Sequence, residues 1–216
     1  QQLRDAQARL HQMRTATWQR FPQLIRPQPE HIYLTLTAAC NLRCKGCLYG
    51  HELMSGEQLP LELVREVLDD VKELNFEVVR LYGGEPLVHK DIREIVEYCT
   101  KLRLRTYLTT NAMALKQKID ELYDAGLRTI QIGVYGVGES YNEYVQRKDR
   151  SRRLEENIAY VRERYGDKVR MTLNWLLMKP TCSREAVRET WKFAERYSTP
   201  IYINLVHYSL PYFTEG

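Results

Sequence analysis

The sequence predicts an α/β chain, a partial (β/α)6 TIM-like barrel with an N-terminal helical lead-in. Three observations point there. Short β-branched runs alternate with amphipathic helical stretches from residue 32 onward, and such alternation calls for a parallel sheet, because parallel neighbours need a crossover. The helical stretches carry one apolar stripe each, as helices lying on a sheet do. Every chemically unusual stretch falls just after a strand, at the end where parallel α/β folds gather their sites.

Residues 3 to 20 read as a helix, with Leu3, Ala6, Leu10, Met13 and Trp18 at roughly helical spacing. Phe21-Pro22 ends it, and Pro27 and Pro29 mark a connector, so residues 1–29 read as an extension packed on the outside of the barrel of residues 30–216, or alternatively as a substrate-recognition element. The first strand is Ile32 to Thr37, followed by a long loop through His51-Glu52-Leu53-Met54-Ser55-Gly56. The first barrel helix carries Val64, Val67, Leu68, Val71 and Leu74 inward. The second strand is Val78 to Tyr82, and the second helix presents Ile92, Ile95, Val96, Cys99 and Leu102. Arg105 to Thr109 is the third strand, and Leu115 to Ala125 the third helix, stopped by Gly126, a fitting C′ residue. Thr129 to Val134 is the fourth strand. The fourth helix carries Leu154, Ile158 and Val161 and stops at Gly166. Val169 to Leu177 is the fifth strand. Ser183 caps the fifth helix, with Val187, Trp191 and Ala194 inward. Ile201 to Val206 is the sixth strand, and no sixth helix follows before Gly216, so the barrel reads as truncated there.

Composition narrows the class. With 44% apolar and 28% charged residues, the 216-residue chain has the balance of a soluble globular protein. A net charge of +4 is too mild to argue for nucleic acid. No run of eighteen apolar residues is present, so no membrane span is expected, and Gln1-Gln2-Leu3-Arg4-Asp5 offers no signal-peptide core. The five cysteines are odd in number and three are clustered, a metal pattern rather than a disulfide framework, which fits a reducing cytoplasm.

Those three, Cys40, Cys44 and Cys47, are spaced C-x3-C-x2-C directly after the first strand. One short loop can set three thiolates around one metal centre. A structural zinc site or a fully protein-ligated iron–sulfur cluster takes four ligands. Three thiolates on a [4Fe–4S] cluster would leave one iron open to a cofactor or substrate. The other readings are a zinc site completed by a distant His or Cys, or three unrelated buried thiols. After the second strand comes Gly83-Gly84-Glu85-Pro86, whose glycines admit close approach of a ligand to the backbone. By itself that segment reads equally as a tight turn.

Together the cysteine motif and Gly83-Gly84-Glu85-Pro86 resemble the radical S-adenosylmethionine (radical SAM) enzymes, over about residues 30 to 210. The resemblance implies a [4Fe–4S] cluster on Cys40, Cys44 and Cys47 whose fourth iron chelates S-adenosylmethionine (SAM). It implies reductive cleavage to a 5′-deoxyadenosyl radical that abstracts hydrogen from a peptide or small-molecule substrate. The electron would come from a flavodoxin or ferredoxin-type reductant. It places the methionine ammonium against Gly83, Gly84, Glu85 and Pro86. Thr110 and Asn111 match a Thr-Asn pair near the cofactor, Asn174 a residue that often bonds the ribose, and Arg147 an arginine that approaches the SAM carboxylate. Arg147 also reads as part of a solvated basic run to Arg153. The family's aromatic residue before the third cysteine is here Gly46, with Tyr49 as a substitute ring. Its Ser and Asp at the fourth strand are here Gly133 and Tyr135.

Arg43 and Lys45 flank the thiolates and could offset their charge, or they are solvated. Cys99 belongs to the core stripe. Cys182, after the fifth strand on the active face, is a candidate hydrogen-atom donor to a substrate radical, as thiols are in some radical SAM epimerases. His207 and Tyr208 end the sixth strand, as substrate contacts or as rim packing. Gly136-Val137-Gly138 and Trp175 to Pro180 complete the set of strand-end features. The rival to an enzyme is an electron-transfer or zinc-binding module with a fourth protein ligand. A third reading is a scaffold whose site has degenerated.

Overall fold

A computed structural model of the chain describes residues 2–21, 31–47, 54–177 and 182–205. The Pro22–Pro29 connector, Tyr49, His51 to Leu53, residues 178–180, Val206, His207 and Tyr208 lie outside the described residues. The chain divides into two compact units, Gln1–Glu30 and His31–Gly216. In the first, α1 spans Gln2–Arg20, and no described helix is long and apolar enough to cross a membrane.

The second unit is built on six parallel strands: β1 (His31–Thr35), β2 (Val78–Tyr82), β3 (Arg105–Thr110), β4 (Thr129–Val134), β5 (Arg170–Leu177) and β6 (Ile201–Leu205). They pair in sequence order from β1 to β6, leaving β1 and β6 as the two edges of an unclosed sheet. The helices that cross over between successive neighbours pack into one core with the sheet. Those helices are α2 (Leu61–Glu73), α3 (Ile92–Lys101), α4 (Leu115–Asp124), α6 (Arg150–Tyr165) and α7 (Arg184–Arg196), with a short extra helix α5 (Glu139–Val145) before α6.

Strand alternation separates the two faces. Leu34, Leu81, Leu108, Ile130 and Met171 stand in register across five strands and are buried. They meet Val64, Leu68 and Val71 of α2, Ile92, Ile95, Val96 and Cys99 of α3, Leu115, Ile119 and Leu122 of α4, and Leu154, Ile158 and Val161 of α6 in one core. The alternate residues line the concave side and are largely polar. Arg80 there donates to His31 Nδ1 at 2.8 Å and to Gln131 Oε1 at 2.9 Å, with its guanidinium 4.7 Å from the Tyr107 ring centroid. A cation shared among three strands and an aromatic face offsets the cost of holding it inside the sheet.

The expected elements are present, with differences that have local causes. β1 stops at Thr35 because Thr37 leaves the parallel ladder for an antiparallel bridge to Gln58. The inward stripe of α7 is Thr190, Phe193 and Ala194; Val187 and Trp191, expected inside, are exposed. Trp191 instead donates from Nε1 to Glu195 at 2.7 Å on its own helix, and Ser183 caps α7 as expected, accepting from the Ala186 amide. Leu74 lies past the end of α2 and is exposed. The fourth helix starts at Arg150, so the basic run before Leu154 is half helix. The Asn142 side chain caps it, accepting from the Arg150 and Ser151 amides at 2.8 and 2.9 Å.

Candidate cofactor site at the carboxyl ends of the strands

The loop after β1 is fastened before it reaches its first cysteine. Thr37 Oγ1 donates to the Glu57 carbonyl and accepts from the Ala39 amide, both at 2.9 Å. The Thr37 and Ala39 carbonyls then accept from the Gly84 and Glu85 amides, each at 2.8 Å. This contact requires both glycines. A Cβ on Gly83, whose φ is +130°, would lie 2.7 Å from the Thr37 carbonyl oxygen, and one on Gly84 would collide with the Ala39 carbonyl. The Gly83 and Gly84 carbonyls accept no hydrogen bond from a described residue, so they remain available to a donor.

Glu85 fastens the same turn to the end of β3. It is 1% exposed. Its Oε1 accepts from Thr110 Oγ1 at 2.6 Å and from the Leu87 amide at 3.0 Å, and its Oε2 from the Asn111 amide at 2.7 Å. Burial pushes its carboxyl up to about 7, against the pull of those three donors. Pro86 opens a single 3-10 turn, Pro86–Val88. Asn111 carries the connection onward: its Nδ2 donates to Asn41 Oδ1 at 2.8 Å and lies 3.7 Å from Cys40 Sγ. From α6, the buried Asn157 donates to the Ala112 carbonyl at 2.7 Å and steadies this loop, whose Ala112 has a left-handed φ of 64°.

Cys40, Cys44 and Cys47 are half-buried and line a cavity of about 410 Å³ together with Gly83, Gly84, Glu85, Thr110, Asn111 and Asn174. That volume is within the usual range for small-molecule sites. Burial raises the Cys40 thiol, and it pushes Cys44 up to about 12 with the help of the neighbouring Cys40 and Cys47. Arg43 and Lys45 are exposed. What they contribute is backbone: their amides donate to the Val145 and Tyr144 carbonyls at 3.3 and 2.9 Å, binding the loop to α5.

Tyrosines close the cavity from the other side. Tyr144 and Tyr135 line it, their ring centroids 4.5 Å apart and 29° from parallel, and the Gly46 amide lies beside the Tyr144 hydroxyl. A Cβ on Gly133 would lie 2.8 Å from the Tyr135 hydroxyl, so that glycine makes room for the ring. Leu176, within the strand-end stretch from Trp175, also faces the cavity, as do Tyr82 and Asn204, which no sequence signal marked.

Two expected residues stand apart. Arg147 is exposed, donates to the Gln146 carbonyl at 3.1 Å and does not line the cavity. Cys182 is exposed just before α7 and is not part of the lining either. Cys99 is fully buried in α3.

Three cysteines on one loop that border a single cavity of small-molecule size are a donor set that fits an iron–sulfur cluster held by three thiolates.

The sequence model of the Radical SAM superfamily matches residues 34–193. The chain is 31% identical over 166 residues to the GTP 3′,8-cyclase of Mycobacterium marinum, across 74% of this chain and 45% of that protein. It is 35% identical over 119 residues to the PqqA peptide cyclase of Bradyrhizobium diazoefficiens, across 54% of this chain and 31% of that one. The fold is similar to SuiB of Streptococcus suis bound to S-adenosylmethionine, with a TM-score of 0.75 at 19% identity, covering 92% of this chain and 45% of SuiB. The chain thus spans less than half the length of these relatives. With its family model matched from β1 into α7, and with cysteines, glycines and tyrosines set around one strand-end cavity, the chain belongs to the radical SAM superfamily.

Proposed function

We propose that residues 30–216 form the catalytic barrel of a radical SAM enzyme, with residues 1–29 as an extension. One observation carries this reading: the three cysteines, the Gly83–Pro86 turn and the Thr110–Asn111 pair converge on one cavity. Cys40, Cys44 and Cys47 would hold a [4Fe–4S] cluster, and the open Gly83 and Gly84 carbonyls would accept from the methionine ammonium of SAM. When bound, these groups would supply radical chemistry, a 5′-deoxyadenosyl radical able to abstract hydrogen from a substrate. The chain's own part is positional. The Glu85 carboxylate holds the ammonium turn against the end of β3, its amide ties that turn to the cysteine loop, and Oε2 keeps one lone-pair site uncommitted. The Tyr135–Tyr144 stack and the polar strand ends, Asn174 among them, bound the space left for nucleoside and substrate and exclude water from it.

The substrate is a peptide or a small molecule. Relatives of both kinds support this, since one is named for a peptide and another for GTP. A structure of SuiB with its precursor peptide SuiA adds to the peptide side. A flavodoxin or ferredoxin-type protein would deliver the electron, in a reducing, cytoplasmic setting. Cys182 would serve as a hydrogen donor only if its segment reached the cavity.

Anaerobic reconstitution tests the reading. It predicts close to four irons and four acid-labile sulfides per chain, and dithionite-dependent release of 5′-deoxyadenosine from SAM. One zinc without sulfide, or a cluster that leaves SAM intact, would contradict it.

A further inference from the structure

The concave side of the sheet carries charge of one sign. By strand alternation its positions include Arg80, Arg105 and Arg170, and no Asp or Glu stands at any of them. Arg105 has Glu77 beside it at 3.0 Å. Arg80 is part-buried and has no carboxylate partner among the described residues. It donates to His31 Nδ1 and Gln131 Oε1, and neither acceptor is an anion. A part-buried cation held only by neutral groups keeps a charge for which the fold provides no counterpart.

The side chain is also aimed. Its guanidinium carbon lies 5.5 Å from the Tyr33 ring centroid and 4.7 Å from that of Tyr107. Residues of β1, β3 and β4 thus fix the plane of the fork. Two of its five N–H groups are used, and three on the terminal nitrogens meet no acceptor among the described residues. The Tyr33 ring beside it is 65% exposed, so this part of the face is open. A planar fork with spare donors matches the geometry of a carboxylate or phosphate.

Its place relative to the cysteine cavity gives it a use. Tyr82, the next residue of β2 on the same face, lines that cavity, and two residues along a strand span about 7 Å. Thr109 lines the cavity as well, and its Oγ1 donates at 3.4 Å to Gln131 Oε1, the oxygen that Arg80 also holds. One bonded floor therefore runs from the cavity down to the guanidinium.

We propose that Arg80, framed by His31, Tyr33, Tyr107 and Gln131, binds an oxyanionic group of the substrate, a carboxylate or a phosphate, while the reacting end lies in the cavity one layer above. This rests on the function proposed above and adds a property of its substrate: an acidic group remote from the reacting carbon. Arg80 determines specificity in this scheme and touches none of the reacting atoms.

The test begins with metal-free wild type, titrated with inorganic phosphate or with acetate at constant ionic strength. The Arg80 Nε–H signal, assigned in nitrogen-15 NMR through its contacts with the Tyr107 ring, should move saturably, with a dissociation constant of roughly millimolar order. The stronger of the two anions identifies a phosphate or a carboxylate as the natural group. In Arg80→Lys, which keeps the charge but loses the fork, the same movement at the Gln131 amide should need about tenfold more anion. No saturable shift at Arg80 with either anion would overturn the proposal, and this arm needs no variant to fold. Equal binding by Arg80→Lys would overturn it too. In the anaerobically reconstituted protein, saturating anion should leave the SAM dissociation constant unchanged, because the two sites are a layer apart. Displacement of SAM would overturn that placement. Failure to bind iron, sulfide or SAM would remove the function above and the substrate role with it, whereas the metal-free titration would still decide the anion site.

Discussion

Glu85 joins three segments that are far apart in the chain, and its ionisation is where pH acts on the site. Burial lifts its carboxyl from 4.5 to about 7. The folded state then holds a proton that the unfolded chain has released, so this contribution to stability is complete below about 4.5 and is lost as pH rises through about 7. The change is on the order of 3 kcal/mol. Guanidinium unfolding of metal-free protein at pH 5 and pH 8 should show a loss in wild type that is smaller in Glu85→Gln; equal losses would contradict the assignment. The glycines are tested separately. In Gly84→Ala the new Cβ meets the Ala39 carbonyl, so the cysteine loop must shift, at a cost of roughly 1–3 kcal/mol. Iron uptake and SAM affinity should fall together, as iron analysis and titration calorimetry would show. That Gly83-Gly84 marks a close approach was legible from the residue types alone. The role of Glu85 was not, because Thr110 and Asn111 lie 25 and 26 residues further along the chain.

At the scale of elements, α5 was the one the sequence concealed. It is seven residues long, lies just beyond Gly136 and Gly138, and runs into a basic stretch, so its two turns give no readable period. Yet it supplies Tyr144 to the cavity and carries the backbone bonds to the cysteine loop. Asn142 links it to α6, and Asn142→Ala should cost about 1–2 kcal/mol through the two lost cap bonds, measurable as a lower denaturant midpoint. α7 shows a different difficulty. Its spacing allows two overlapping stripes, and the phase through Val187 and Trp191 reads as apolar as the true one through Thr190, Phe193 and Ala194. Phe193→Ala should therefore cost ~3 kcal/mol or more, and Trp191→Ala about 0.5 kcal/mol or less. Thermal melts that reversed this order would put the helix in the wrong phase.

For the whole molecule, sequential strand order places the apolar core on one side of the sheet and the chemistry on the other. The alternation of strands and helices made that order legible, and the bounds of β4 coincide with the expected ones. The polar concave face was not legible. Arg80, His31 and Gln131 look unremarkable within their separate strands and acquire a purpose only when three strands set them side by side. The site inherits this division: three cysteines and a glycine turn at one rim, with tyrosines facing them. If the chain ligates three irons of a cubane and leaves the fourth to SAM, as proposed, Mössbauer spectroscopy of protein reconstituted with iron-57 will show it. One iron of four should change its signal on addition of SAM while the other three keep theirs. Four irons indifferent to SAM, or no cubane signal at all, would contradict the account.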